Sequence, residues 1–160
     1  MKTLVVYSSQ TGNTKKLANA VYESLKGEKE IFSVQSAPDP QNYDFIALGF
    51  WFKGGKPDPK SAEYLNKIGK GKRLFLFATH GASPGSDHAK NGIKNAVNLA
   101  PEAELTGNFT CQGEVNPKVM EKIKAKPEPP VWINDAPAAA GHPDDDDINR
   151  IKEVINKIID

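Results

Sequence analysis

Thr3-Leu4-Val5-Val6-Tyr7-Ser8-Ser9-Gln10-Thr11-Gly12-Asn13-Thr14 is the stretch on which the reading of this chain turns. Thr3 to Tyr7 is a continuous β-branched, aliphatic and aromatic run, the pattern of a strand buried on both faces. Polar and glycine positions follow from Ser8 to Thr14. Leu17, Val21 and Leu25 then recur at helical spacing, with Gly27 where a helix ends. A polar loop between a buried strand and a helix is where open α/β sheets hold ligands. Capping a helix needs one hydroxyl or amide, and this run exceeds that need. Gly12 lets a ligand come close to the backbone. The first N–H groups of the helix and the positive end of its dipole suit a phosphate, with Ser9, Thr11 and Thr14 adding hydroxyls.

Outward from this loop, strand and helix patterns alternate. Glu30 to Val34 predicts a polar edge strand, and Tyr43 to Phe50 a third strand. Asp58-Pro59 caps a helix carrying Ala62, Leu65 and Ile68 that stops at Gly69. Leu74 to Ala78 is a fourth strand, followed by a helix with Ala89, Ile93, Ala96 and Val97. Glu104 to Val115 is a fifth strand, interrupted around Gly107-Asn108. Asn116-Pro117 opens a short helix with Met120 and Ile123. Asp144 to Asp147 opens the last helix, whose stripe is Ile148, Ile151, Ile155 and Ile158. The alternation predicts an α/β fold, a doubly wound parallel sheet of five strands with helices on both faces, as one domain over residues 1–160. Lys126 to Pro143 is a proline- and alanine-rich segment, read equally as a cover over a site or as a wrap around the sheet edge.

The composition narrows the function. The chain has 160 residues, 38% hydrophobic and 26% charged, with 21 Lys and Arg against 20 Asp and Glu. That balance gives no electrostatic reason for a nucleic-acid or membrane partner. A single cysteine, Cys111, excludes an internal disulfide framework and a thiolate-rich metal site, and no metal is expected. The first residues carry no signal-peptide pattern, so a cytoplasmic protein is expected. The phosphate-type loop lacks a Gly-Lys-Ser/Thr ending and a Gly-x-Gly-x-x-Gly, which leaves a mononucleotide phosphate. Gly81-Ala82-Ser83-Pro84-Gly85 imitates a hydrolase nucleophile elbow. However, Pro84 has no N–H to give to an oxyanion hole. Cys111 is followed by Pro117 where a small phosphatase needs Arg, so it reads as a structural residue of the fifth strand.

The run YSSQTGNT, Tyr7 to Thr14, closely resembles the phosphate loop of the flavodoxins. Gly49-Phe50-Trp51-Phe52-Lys53-Gly54 and Thr79-His80-Gly81-Ala82 fall where that family's two flavin-flanking loops lie. The resemblance covers essentially the whole chain and implies strand order 2-1-3-4-5 and FMN as cofactor. Its phosphate falls on Ser9, Gln10, Thr11, Gly12, Asn13 and Thr14. Trp51, Phe52, Lys53, Gly54, Thr79, His80, Gly81 and Ala82 flank the ring. Three consecutive rings at a strand end cannot all enter the core, so one faces out; Trp51 is the first choice for stacking and Phe52 the second. Gly54 and Gly55 are both candidates for the peptide that turns over beside the flavin in this family. The Tyr with which its best-known members cover the outer ring face is absent; His80 or His88 is the candidate substitute.

The combination resembles a smaller group of flavodoxin-domain proteins, some of which are thought to serve dedicated reductases of small heterocyclic substrates. The expected function is a monomeric FMN protein carrying electrons from a reductase to an acceptor enzyme. Lys53 and Lys56 are expected to make it a milder reductant than acidic flavodoxins. The alternative is a flavin-dependent NAD(P)H/quinone or FMN reductase with a small substrate over the exposed flavin face; a third reading is an interaction module without FMN.

Overall fold

The computed structural model describes residues 1–159. Strands β1 (Thr3–Tyr7), β2 (Lys29–Ser33), β3 (Phe45–Lys53), β5 (Arg73–His80) and β6 (Glu104–Gln112) form one parallel sheet in the order β2-β1-β3-β5-β6. This is the predicted order 2-1-3-4-5 once a two-residue strand, β4 (Lys56–Pro57), is set aside. β4 folds back on β3, pairing Phe52 with Pro57 and Lys53 with Lys56. It was not read from the sequence. Two successive glycines with positive φ, Gly54 at 60° and Gly55 at 77°, make the tight turn, the conformation a two-residue hairpin requires. That pairing also carries β3 three residues beyond its predicted end at Phe50.

Alternation along the strands divides the core in two. Leu4, Val6, Ile46, Leu48, Phe50, Leu74 and Leu76 face one way, where α2 (Pro59–Leu65) supplies Tyr64 and Leu65 and α3 (Asp87–Leu99) supplies Ile93 and Ala96. Val5, Phe45, Ala47, Phe75 and Phe77 face the other, against Leu17, Ala18 and Val21 of α1 (Asn13–Ser24) and Ile151 and Ile155 of α5 (Asp145–Ile158). β2 is half-buried at every position, as an edge strand. α2 stops at Leu65, before the predicted Gly69, and Ile68 is buried in the turn that follows. The break in β6 lies one residue before the predicted Gly107: Thr106 is the extra residue between the Leu74–Leu105 and Phe75–Gly107 pairs. Its hydroxyl donates to the Leu74 carbonyl at 3.0 Å. A short α4 (Pro117–Lys124) follows, capped by Asn116 as expected.

Gly49 shows how tightly β3 is held. Its carbonyl accepts the Ser8 N–H at 2.9 Å, where β1 enters the polar loop. A Cβ at Gly49 would lie 2.1 Å from a ring carbon of the buried Phe77, so no larger residue fits without moving the core. Gly49→Ala is expected to destabilise the fold by about 1–3 kcal/mol, a fall in melting temperature of roughly 3–10 °C. An unchanged thermal transition would contradict this packing.

Candidate functional site

The C-terminal ends of β1, β3, β5 and β6 open on one cavity of about 680 Å³, a size common for small-ligand sites. Ser9, Gln10, Thr11, Asn13 and Thr14 line it from the first loop. Trp51, Phe52, Lys53 and Gly54 line it from β3, and Thr79, His80 and Gly81 from β5. Two of the sequence-predicted residues do not line it. Gly12 forms the start of α1, and Ala82 is buried behind the loop.

The first loop is held from three sides. Ser8 donates its hydroxyl to the buried Asp58 carboxylate at 2.9 Å. That carboxylate also accepts the Ser61 N–H (3.2 Å) and hydroxyl (2.9 Å), so one charge fixes the loop and caps α2. The hydroxyls of Thr14 and Thr79 meet at 3.1 Å in the interior. Asn13 donates its amide to the Glu114 carbonyl at 3.0 Å. Asn13 and Thr14, read from sequence as phosphate contacts, thus use their side chains to fasten α1 to β5 and to the loop after β6. Ser9 accepts the Gly12 N–H at 3.0 Å and keeps its own proton to donate.

What remains free is the start of α1. Gly12 adopts φ 94°, offers no side-chain cap, and the helical ladder begins only with Lys16 N–H to the Gly12 carbonyl. The N–H groups before it need another acceptor.

The aromatic run at the end of β3 divides as alternation demands. Phe50 is fully buried. Phe52 stacks on Phe50 (5.8 Å) and His80 (5.4 Å), and presses on α3 so closely that a Cβ at Gly92 would lie 2.1 Å from its ring. Trp51 points to the other face, is half-buried, and has no ring–ring contact among the described residues. It is the ring left free to stack. Asn95 donates to the Gly55 carbonyl at 3.0 Å, which ties down that peptide, whereas Gly54 is exposed with open space around it. Lys53 lines the cavity and Lys56 does not.

The opposite wall was missed. Val115, Asn116, Val119, Ile123, Pro130 and Trp132 complete the cavity. Residues 126–143 form two 3-10 turns, Val131–Asn134 and Ala136–Ala139, and bring Trp132 against Gly81; a Cβ there would lie 2.7 Å from the indole. The segment is therefore a strap over the site's rim. Of the two alternatives that the proline- and alanine-rich sequence offers, this is the cover over a site. His88 lies 6.0 Å from Trp132 and tilts on Phe52 at 5.4 Å.

The strap leads to a charged knot that reaches back to the first loop. Glu114 N–H donates to the His142 carbonyl at 2.8 Å, and His142 Nδ1 lies 2.6 Å from Asp147 Oδ2. The bond with Asp147 raises the His142 imidazole above its ordinary value, partly offset by burial. Burial pushes the Asp147 carboxyl up. Hydrogen bonds from His142, the Asp144 N–H and Arg150 outweigh that and hold it below the usual range. Cys111 lies in β6 as expected, with its thiol pushed up by burial, and takes no part in the cavity.

A parallel α/β sheet whose cavity lies at the C-terminal ends of the strands, beside an uncapped helix start, defines the class of open, doubly wound sheets. The chain belongs to the flavodoxin family: the Flavodoxin domain model matches residues 4–156. It is 34% identical to the flavodoxin-like domain-containing protein BilS of Clostridioides difficile, an alignment covering 92% of this chain and 90% of that one. To BilS of Clostridium symbiosum it is 28% identical over the same shares. A Streptococcus pneumoniae flavodoxin superposes with TM-score 0.66 at 13% identity, covering 99% and 97% of the two chains. A Lactobacillus acidophilus flavoprotein solved in complex with FMN gives 0.56 at 20% identity, covering 68% and 92%. These likenesses establish the fold. Among the described residues no helix is long and apolar enough to cross a membrane.

A raised imidazole stabilises the fold only where it is protonated: fully below about pH 6.5, and progressively less as pH rises through the raised value. The stability lost on His142→Ala, from urea denaturation, is therefore expected to be larger at about pH 5.5 than at about pH 8.5. Equal losses at the two pH values would contradict the coupling.

Proposed function

We propose that the chain binds FMN and carries electrons from a reductase to an acceptor enzyme. The observation that carries this reading is the uncapped start of α1 opening on a cavity whose β3 side presents a free Trp51. The residues present fit the group: orphan N–H donors and the Ser9 and Thr11 hydroxyls suit its phosphate, and Trp51 suits a flat ring. When bound, FMN supplies one- and two-electron redox chemistry. The chain's own part is to hold the phosphate, orient the ring and set the charge around it. Gly54, rather than the tethered Gly55, is the peptide free to reorient in the β3–β4 turn.

A flavin-dependent reductase acting on a small substrate is the second reading. It is favoured by the apolar lining contributed by Val115, Val119, Ile123 and Pro130, which suits a small apolar substrate. Against it stand the two imidazoles at the cavity. Burial lowers His80 to about 4, with His88 adding to the effect, and burial also lowers His88. Both are neutral near pH 7, so neither is a ready proton donor.

The FMN-loaded protein alone is expected to show no turnover of NADH or NADPH with a quinone, and to be reduced and reoxidised once a separate flavodoxin reductase and acceptor are supplied. Sustained turnover by the protein alone would replace the carrier reading with the reductase reading.

Added electrons make the bound group more negative, so a nearby cation favours reduction. One unit charge about 10 Å away in water is worth ~0.4 kcal/mol, on the order of 20 mV for one electron. Lys53→Ala is expected to lower the midpoint potential by about that amount, and Lys56→Ala by less because Lys56 lies off the cavity. A potential unmoved in both variants would remove the lysines from the account.

A further inference from the structure

Resting on the carrier reading above, we propose that α4 and the row of lysines along it form the docking surface for a redox partner protein with a carboxylate-rich face. The connection from β6 to α5 runs from Gly113 to Asp144, whereas β5 reaches α3 through Gly81 to Ser86 alone. Connections of such length are uncommon and usually serve a site. This one sets α4 at the wall of the cavity, resting on the first turn of the strap. None of the eight residues of α4 is buried.

Helical spacing divides α4 into stripes. Val119 and Ile123, one turn apart, line the cavity, and Val119 is 44% exposed. Lys118, Lys122 and Lys126 follow at four-residue intervals and make a row along the flank of that stripe, with Lys126 itself at the cavity. Lys124 adds a fourth cation, and Glu121 is the one acid between Asn116 and Lys126. All four lysines are exposed, and among the described residues none forms an ion pair, although Glu114 and Glu128 line the same cavity. Like charges one turn apart oppose helix formation. The helix dipole favours Lys122 and Lys124 in the last turn and disfavours Lys118 in the first. The chain carries only +1 overall, and in its densest acidic run Asp144 and Asp147 pair with His142 and Arg150. The cations of α4 are thus left for carboxylates brought by another molecule. Protein interfaces set an apolar centre within a charged rim. Val119 and the 85% exposed Val131 of the strap supply the apolar part. A lipid surface fits less well, because Val119 and Ile123 line the cavity and leave a short helix without the broad apolar face that insertion needs.

The test follows electron transfer from the reduced, FMN-loaded protein to two probe proteins, an acidic blue-copper protein and a basic c-type cytochrome. The flavin gives one electron to each acceptor, taking Cu(II) to Cu(I) or haem Fe(III) to Fe(II). At low salt the second-order rate constant for the acidic probe is expected to fall about tenfold in the triple variant Lys118→Gln, Lys122→Gln, Lys126→Gln. It is expected to hold within about twofold in Lys26→Gln, Lys67→Gln, Lys70→Gln, which removes the same charge elsewhere. The difference is expected to vanish at about 1 M salt, where charges are screened beyond about 3 Å. Adding the Cu(I) probe to the oxidised, FMN-loaded protein is expected to shift the backbone amide resonances of residues 116–126. Equal losses in the two triple variants, or no loss in either, would overturn the docking surface and leave the carrier reading standing. Binding to phosphatidylglycerol vesicles that the Lys118, Lys122 and Lys126 variant loses, with no amide shift from the acidic probe, would make the face a membrane contact and overturn the proposal. No FMN uptake, or no electron transfer to either probe, would overturn the carrier reading itself.

Discussion

α1 begins at a glycine with positive φ that offers no side-chain cap, so the N–H groups of its first turn are left to an acceptor from outside the helix. The rest of the site is arranged around that opening. The Asp58 carboxylate locks Ser8 on one side, the Thr14–Thr79 pair locks the helix on another, and Asn13 ties it to the loop after β6. Of the side chains assigned to the ligand from the sequence, Asn13 and Thr14 make these fastenings, while Ser9, Gln10 and Thr11 line the cavity. An anion at this point gains both the hydrogen bonds and the helix dipole, each of which is stronger where water is excluded.

The ring side of the cavity follows from alternation at the end of β3. Because Phe50 and Phe52 share a face, the packing of Phe52 against Gly92 and His80 commits it to the wall, and Trp51 emerges on the other side with nothing stacked on it. The β3–β4 hairpin extends this edge past the sheet, which places Lys53 at the cavity and turns Lys56 away. Trp132 approaches from the strap and closes the rim over Gly81.

Much of this was legible in the sequence because the signals were local. The strand–loop–helix start, the Asp58 and Asn116 caps and the isoleucine stripe of α5 each depend on residues a few positions apart, where physics fixes the outcome. The hairpin at Gly54-Gly55 was missed because a two-residue strand has no periodicity to read. The far wall was missed because Val115, Val119 and Trp132 meet the site only through tertiary packing, across a strap with no regular pattern. His80 was placed beside the ring by resemblance, yet its lack of partners is a property of burial that no spacing reveals.

The central claim is that the open start of α1 grips a phosphate. It is tested most directly by titrating the cofactor-free protein with FMN and with riboflavin, which has the same ring and no phosphate. The account predicts that FMN binds at least about a hundredfold more tightly, equivalent to ~3 kcal/mol from the phosphate contacts. Equal affinity for the two, or a preference for riboflavin, would contradict it.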